Sequence, residues 1–358
     1  MWILLQANGV NGRQDSRTIR TVILALVFLL IAVAGLIYVK WWPYILKAIG
    51  AADTHSIGNS ILGEPGTHAG SPTWSDAIAY AKTYFKSVWK AAVLGIVLGS
   101  LVQVLIPARW LQRLFGRSNF SSAVRGSVAA LPGMMCSCCA APIAAGLRRN
   151  NVSTGAALSF WVGNPLLNPA TLVFMAFVLS WKFVVLRIVL GALLTIGIGY
   201  LANRMMRGQE PAMSPEMMSA ATLPEESGPF WSRWMRSLGA MLLQVVPAYV
   251  LAILALGAVQ VWLFPASFDS GAFLLLVFAV AGTLFAIPTA AEIPIIQSFL
   301  AAGIAAGPAS ALLLTLPAIS LPSLLMVSRS FPRRVLLLVL GSVIVAGIVS
   351  GLIGALWI

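Results

Sequence analysis

Leu131-Pro132-Gly133-Met134-Met135-Cys136-Ser137-Cys138-Cys139-Ala140-Ala141-Pro142 stands in the middle of an apolar stretch that runs from residue 120 to residue 151. Proline lacks the N–H of an uninterrupted helix and glycine weakens one, so the stretch breaks at Pro132-Gly133. A broken apolar stretch of this length has two readings. It crosses a bilayer once with a kink, or it forms a helical hairpin that enters and leaves on one side. A second stretch, residues 271–303, is broken in the same way at Ile287-Pro288. How these two run decides the topology of the whole chain.

That the solvent is lipid follows from composition. Of 358 residues, 59% are hydrophobic and only 9% charged, and mean hydropathy is +0.91. Soluble domains carry roughly 25% charged residues. This excludes a water-soluble enzyme, a nucleic-acid binder and a disordered scaffold. Long apolar runs without strand alternation predict an all-α polytopic helical bundle rather than a barrel. Full spans are expected at about 21–39, 89–106, 155–179, 183–202, 238–264, 308–327 and 335–357. The expected organisation is an N-terminal span (1–40), an external loop (41–86) with an interfacial helix near 74–84, a first repeat (87–203), a cytoplasmic linker (204–236) and a second repeat (237–358).

The repeat is visible at a constant offset of 152 residues. Pro142-Ile143 matches Pro294-Ile295, Gly155 matches Gly307 and Pro165 matches Pro317. Such similarity signals duplication. The basic residues then choose between the two topologies. If both broken stretches cross, giving nine spans and parallel repeats, the 23 Lys and Arg divide 12 inside and 11 outside. If both are hairpins, leaving seven full spans, 16 fall inside and seven outside. The positive-inside rule favours hairpins and places the N-terminus, with Arg13, Arg17 and Arg20, in the cytoplasm. Three full spans per repeat make the repeats inverted, a plan in which transporters place the substrate site at the helix breaks. The net charge of +13 is accordingly read as an orientation signal and not as a nucleic-acid footprint.

At the first break, three thiols and two thioethers fall within six residues. They are soft donors suited to Cu(I), Zn(II) or trivalent arsenic. Cys136, Cys138, Cys139 and Met135 form a candidate soft-metal set, without an evident fourth ligand for closed zinc. The Cys-x-Cys and Cys-x-x-Cys spacings also allow a transient disulfide. At the second break, Glu292 is the one acidic residue of ten inside an apolar segment, a candidate for proton coupling or cation binding. Thr289 is placed to line the same site. After each hairpin comes a proline-broken span. The first places Asn164 and Asn168 four residues apart on one expected face, with Trp161 just before them; the second contains Ser320. No Walker motif, dinucleotide fingerprint or nucleophile elbow is present, so neither an enzyme nor a resident cofactor is expected. Three functions stay open on these residues alone: a secondary transporter of a thiophilic solute, a transporter of a sulfur-containing anion, and a membrane thiol-redox or metal-delivery protein. A homo-oligomer and a thiol-redox partner are compatible with each.

Over about residues 80–358 the sequence resembles the bacterial YraQ-type predicted permeases, a family that includes the organoarsenical efflux permease ArsP. The resemblance rests on Cys136-Ser137-Cys138, Pro142-Ile143, Gly155 and Asn168-Pro169, and then on Glu292-Ile293-Pro294, Gly303, Gly307 and the run from Pro317 to Pro322. Many members carry Gly where this chain has Cys139. The resemblance implies an inner-membrane permease in which Cys136 and Cys138 contact a thiophilic solute such as a trivalent organoarsenical. It also implies proton-driven transport, with Glu292 as the coupling residue.

Overall fold

The computed structural model describes residues 23–61, 74–106, 108–208, 229–263 and 272–358. The N-terminal arginines and the central parts of the first loop and of the linker lie outside the described residues. Among the described residues the chain is helical throughout and contains seven helices or helix pairs long and apolar enough to cross a membrane. They are Ile23–Thr54, Ala77–Leu105, Thr154–Val178, Trp181–Met205, Phe230–Val259, Ala306–Val327 and Arg333–Trp357. The chain is a multi-pass membrane protein.

The first helix, α1 (Ile23–Thr54), runs further than the sequence suggests. Residues 42–54, expected in the external loop, continue it to His55, which closes it in the left-handed region. A π turn at Ile37–Trp41 interrupts its register. Pro43 explains the turn: its ring would clash with the carbonyl four residues back, Val39, and the wider turn absorbs that conflict. In doing so it brings Lys40 inward, where it is 5% exposed. The expected interfacial helix near 74–84 is likewise the start of a longer element, α2 (Trp74–Leu105). Ala77, Tyr80, Ala81, Tyr84, Val88 and Ala91 form a buried helical stripe. Lys82, Lys86 and Lys90 stand on the exposed face.

After a short helix, α3 (Ala108–Phe115), the first broken stretch forms α4 (Phe120–Ala130), a 3-10 turn at Leu131–Gly133, and α5 (Ser137–Arg149). The two arms have 11 and 13 residues. At 1.5 Å per residue neither spans a hydrocarbon core of about 30 Å. Their outer ends meet. Ser153 N–H donates to the Phe115 carbonyl at 3.0 Å and Ser153 Oγ to Ser122 Oγ at 3.2 Å. Asn203 ties both ends together, donating to the Asn119 carbonyl at 3.0 Å and accepting from Gly155 N–H at 2.8 Å. The stretch is therefore a hairpin that enters and leaves at one end of the bundle. It is held against α2 through glycines: a Cβ at Gly95 would overlap the Cys139 carbonyl, and one at Gly99 would lie 2.7 Å from the Pro142 carbonyl. The Gly95–Gly99 pair thus serves packing within the chain.

The remaining elements are α6 (Thr154–Leu166), α7 (Pro169–Val178), α8 (Trp181–Met205), α9 (Phe230–Leu263), α10 (Ala272–Leu284), α11 (Glu292–Ala301), α12 (Ala306–Ala318), α13 (Leu321–Val327) and α14 (Arg333–Trp357). The 152-residue offset reappears in the element boundaries. Phe120 and Ala272, Thr154 and Ala306, and Trp181 and Arg333 each open a helix, and each pair is 152 residues apart. The α10 and α11 arms, with 13 and 10 residues, form the second hairpin. Gly351 of α14 packs where α10 and α12 begin: a Cβ there would lie 2.7 Å from Leu275 and 3.2 Å from the Gly307 carbonyl.

Candidate functional site

The two hairpin tips bury all three cysteines and one carboxylate, Glu292. Each break contains one non-glycine residue in the left-handed region, Met134 (φ 48) and Ala290 (φ 69), a conformation that persists only where the surrounding structure enforces it. Beyond Met134 the chain is extended at Cys136, which caps α5. Gly133 is pressed against Asn164, leaving no room for a Cβ. Trp161, fully buried, donates from Nε1 to the Ser137 carbonyl at 2.9 Å and so holds the tip from behind.

The three thiols are free and buried but point two ways. Cys136 and Cys139 share a helical face, with Sγ atoms 3.0 Å apart. Cys138 is turned away, with Sγ 3.2 Å from Ser320 Oγ and 3.7 Å from the Tyr84 hydroxyl that donates to it. Tyr84 in turn accepts from Tyr249 at 3.2 Å, and Ser137 Oγ lies 3.3 Å from Ser320 Oγ. Cys136, Cys138, Cys139 and Met135, the candidate soft-metal set, are thus not gathered around one point. Among the described residues no three His, Cys, Asp or Glu side chains converge as a metal ion needs. Adjacent helical positions 138 and 139 diverge by about 100°, and Met135 is buried in the core.

At the second tip, Thr289 accepts from Lys40 Nζ at 2.9 Å and lines a small pocket together with Cys136 of the first tip. Lys40 makes a further bond to the Tyr44 hydroxyl at 3.1 Å. Glu292 opens α11 and is 1% exposed. Its Oε1 meets Arg187 Nη1 at 2.7 Å; its Oε2 has no partner among the described residues. Glu292 Oε2 belongs to a residue that lines a small pocket with Cys136, Thr171, Pro165, Thr289 and Pro317.

Arg187 shows how the local sequence creates this site. Pro169 has no N–H, so the Pro165 carbonyl lacks its helical donor. Ala170 N–H is taken by the side chain of Asn168, so the Leu166 carbonyl lacks one too. Arg187 fills both, with Nη2 2.7 Å from Pro165 O and Nε 3.1 Å from Leu166 O. Its remaining donors reach Glu292 and Met175 Sδ, the latter at 3.6 Å.

The expected shared face of Asn164 and Asn168 does not form, because α6 ends at Leu166 between them. Asn168 caps α7 through Ala170 and Thr171 N–H, a structural role. Asn164 stays in α6, donating to the Phe160 carbonyl at 2.9 Å. Thus Cys136, Cys139, Thr289 and Glu292 gather on one side, and Ser137, Cys138 and Ser320 on the other. Sequence reading passed over Lys40 and Arg187. Both were counted among the outside charges, although each is a cation within or at the end of an apolar run, the same signal that singled out Glu292.

Residues 74–356 match the family model ArsP_1, described as a predicted permease. The chain belongs to this family. The permease is 50% identical over 327 residues, 90% of its own length and 92% of the relative's, to the UPF0718 protein YraQ of Escherichia coli (strain K12). It is 22% identical over 333 residues, 74% of this chain and 91% of the relative, to the UPF0718 protein MJ0584 of Methanocaldococcus jannaschii. No solved structure matches it significantly. The permease is accordingly a membrane transport protein, and its tips are where two breaks, three thiols and a buried ion pair coincide.

Proposed function

We propose that this permease is a secondary transporter that moves a small thiophilic solute across the bacterial inner membrane, through a site between the two hairpin tips. The observation that carries the reading is the exchange of contacts between repeats. The first tip binds the second proline break through Ser137, Cys138 and Ser320. The second tip binds the first proline break through Glu292 and Arg187. Each half thus grips the hairpin of the other, and rocking one half against the other would change which end of the site is open. The solute class follows from the thiols: a trivalent arsenical or soft metal species prefers Cys136 and Cys139 to any oxygen ligand nearby.

Proton coupling through Glu292 would act by way of Arg187. Protonating the carboxylate leaves a buried guanidinium without its counter-charge, so proton uptake and release of hairpin 2 from α8 go together. Cells expressing the chain should gain resistance to, or accumulate, a trivalent organoarsenical. Cys136→Ser should abolish this with the protein still in the membrane. Glu292→Gln should keep downhill movement but lose the response to a pH gradient. Unchanged transport in Cys136→Ser would remove the thiols from the path.

Inversion of the two repeats and a cytoplasmic N-terminus belong to the same reading. The end of the bundle that carries Arg148 and Arg149 then faces the cytoplasm. Arg148→Cys should react with a membrane-impermeant maleimide only in inside-out vesicles. Reaction in intact spheroplasts would reverse the orientation.

A further inference from the structure

A cavity of about 360 Å³ shares Pro288, Thr289 and Ala290 with the tip pocket, and its lining is strongly one-sided in charge. Lys40, Lys47, Tyr44, Asn59, Thr83 and Ser87 face it, and no acidic residue lines it among the described residues. At its floor Lys40 is 5% exposed, and Thr289, which takes Lys40's hydrogen bond, lines both this cavity and the small pocket of Cys136 and Glu292. Lys40 differs from Arg187 in one decisive respect. Arg187 is neutralised by Glu292; Lys40 has only hydroxyl partners, Tyr44 and Thr289, and no carboxylate pairs with it among the described residues. A buried cation with no carboxylate partner among the described residues is costly, and inside a membrane protein it points to a solute path.

From the cavity and this buried lysine we propose that the same path also carries a small anion with a soft atom, of the kind found in sulfur oxyanions. Its oxygens bind Lys40 and Thr289, and its soft end accepts from the Cys136 thiol. The proposal rests on the permease reading above and adds a second substrate class to the same site. The geometry suits such a bipartite solute because Thr289, which accepts from Lys40 Nζ, lines the same small pocket as Cys136. A hard donor and a soft one therefore border one continuous set of side chains. The two lysines would draw anions into the cavity, and the thiols would distinguish a soft terminus from an all-oxygen anion such as sulfate.

The test is uptake into proteoliposomes of the purified full chain, with radiolabelled thiosulfate, sulfate and phenylarsine oxide as probes. Thiosulfate should enter and sulfate should not. Lys40→Gln should lower thiosulfate kcat/KM by about 10- to 100-fold, the loss expected for one charge-assisted hydrogen bond. Lys40→Arg should restore most of it, and phenylarsine oxide flux should be unaffected by either change. Lys47→Gln should weaken thiosulfate uptake only at low ionic strength. Phenylarsine oxide flux without thiosulfate flux would overturn the anion proposal and leave the permease reading intact. An equal loss of both fluxes in Lys40→Gln would overturn it too, since Lys40 would then serve the thiols rather than the solute. No flux of any probe through protein that remains monodisperse would overturn both.

Discussion

Arg187→Leu should remove most folded protein from the membrane, whereas the double variant Arg187→Leu/Glu292→Leu should recover part of it. The single change leaves the Glu292 carboxylate, 1% exposed, without its counter-charge. It also strips the donor from the carbonyls of Pro165 and Leu166. Breaking one side of a buried pair costs about 3–5 kcal/mol, against a typical total stability of about 5–15 kcal/mol. Replacing both charges by apolar groups removes the charge penalty and leaves only that of the two carbonyls. Thermal unfolding of the detergent-solubilised variants checks both halves. An Arg187→Leu protein as stable as wild type would mean that the pair is not buried as described. The double variant is then informative about mechanism: folded but blind to a pH gradient, it would separate coupling from stability.

The second large effect concerns the other tip. Ser320→Cys places a thiol where Ser320 Oγ now lies 3.2 Å from Cys138 Sγ. Mild oxidation should join the two, fixing hairpin 1 to the second repeat. If transport requires that contact to open, flux should fall to background and return on adding reductant. Oxidised wild type serves as the control for the Cys136–Cys139 pair, whose sulfurs are already 3.0 Å apart. Full flux through a cross-linked Ser320→Cys protein would show that the Ser137–Cys138–Ser320 contact does not part during the cycle.

Much of this architecture is legible in the sequence because its determinants are local. Pro132-Gly133 and Pro288 interrupt two long apolar stretches, and the resulting arms of 10 to 13 residues are too short to cross. The 152-residue offset found in a few prolines and glycines extends to the starts of α4 and α10, α6 and α12, and α8 and α14. The thiols and Glu292 stand out by rarity alone. What was not legible is pairing. Nothing local tells Arg187 from an interfacial arginine; its partners are two orphaned carbonyls about 20 residues upstream and a carboxylate 105 residues downstream. Lys40 looks like the end of a span until the π turn carries it inward. Their burial also sharpens the charge partition. With these two removed from the seven residues placed outside, five remain against 16 inside, a stronger bias toward the hairpin topology. The two asparagines fail for a related reason: Pro169 and the Asn168 cap end the helix on which they were to share a face.

The central claim is that the hairpin tips form a solute path and that Cys136 lies on it. Its most direct test is solute flux into liposomes that contain only lipid and the purified chain, comparing wild type with Cys136→Ser at equal incorporation. The account predicts saturable flux of a thiophilic probe in wild type and flux at the level of empty liposomes in Cys136→Ser. Equal flux through both proteins would contradict it.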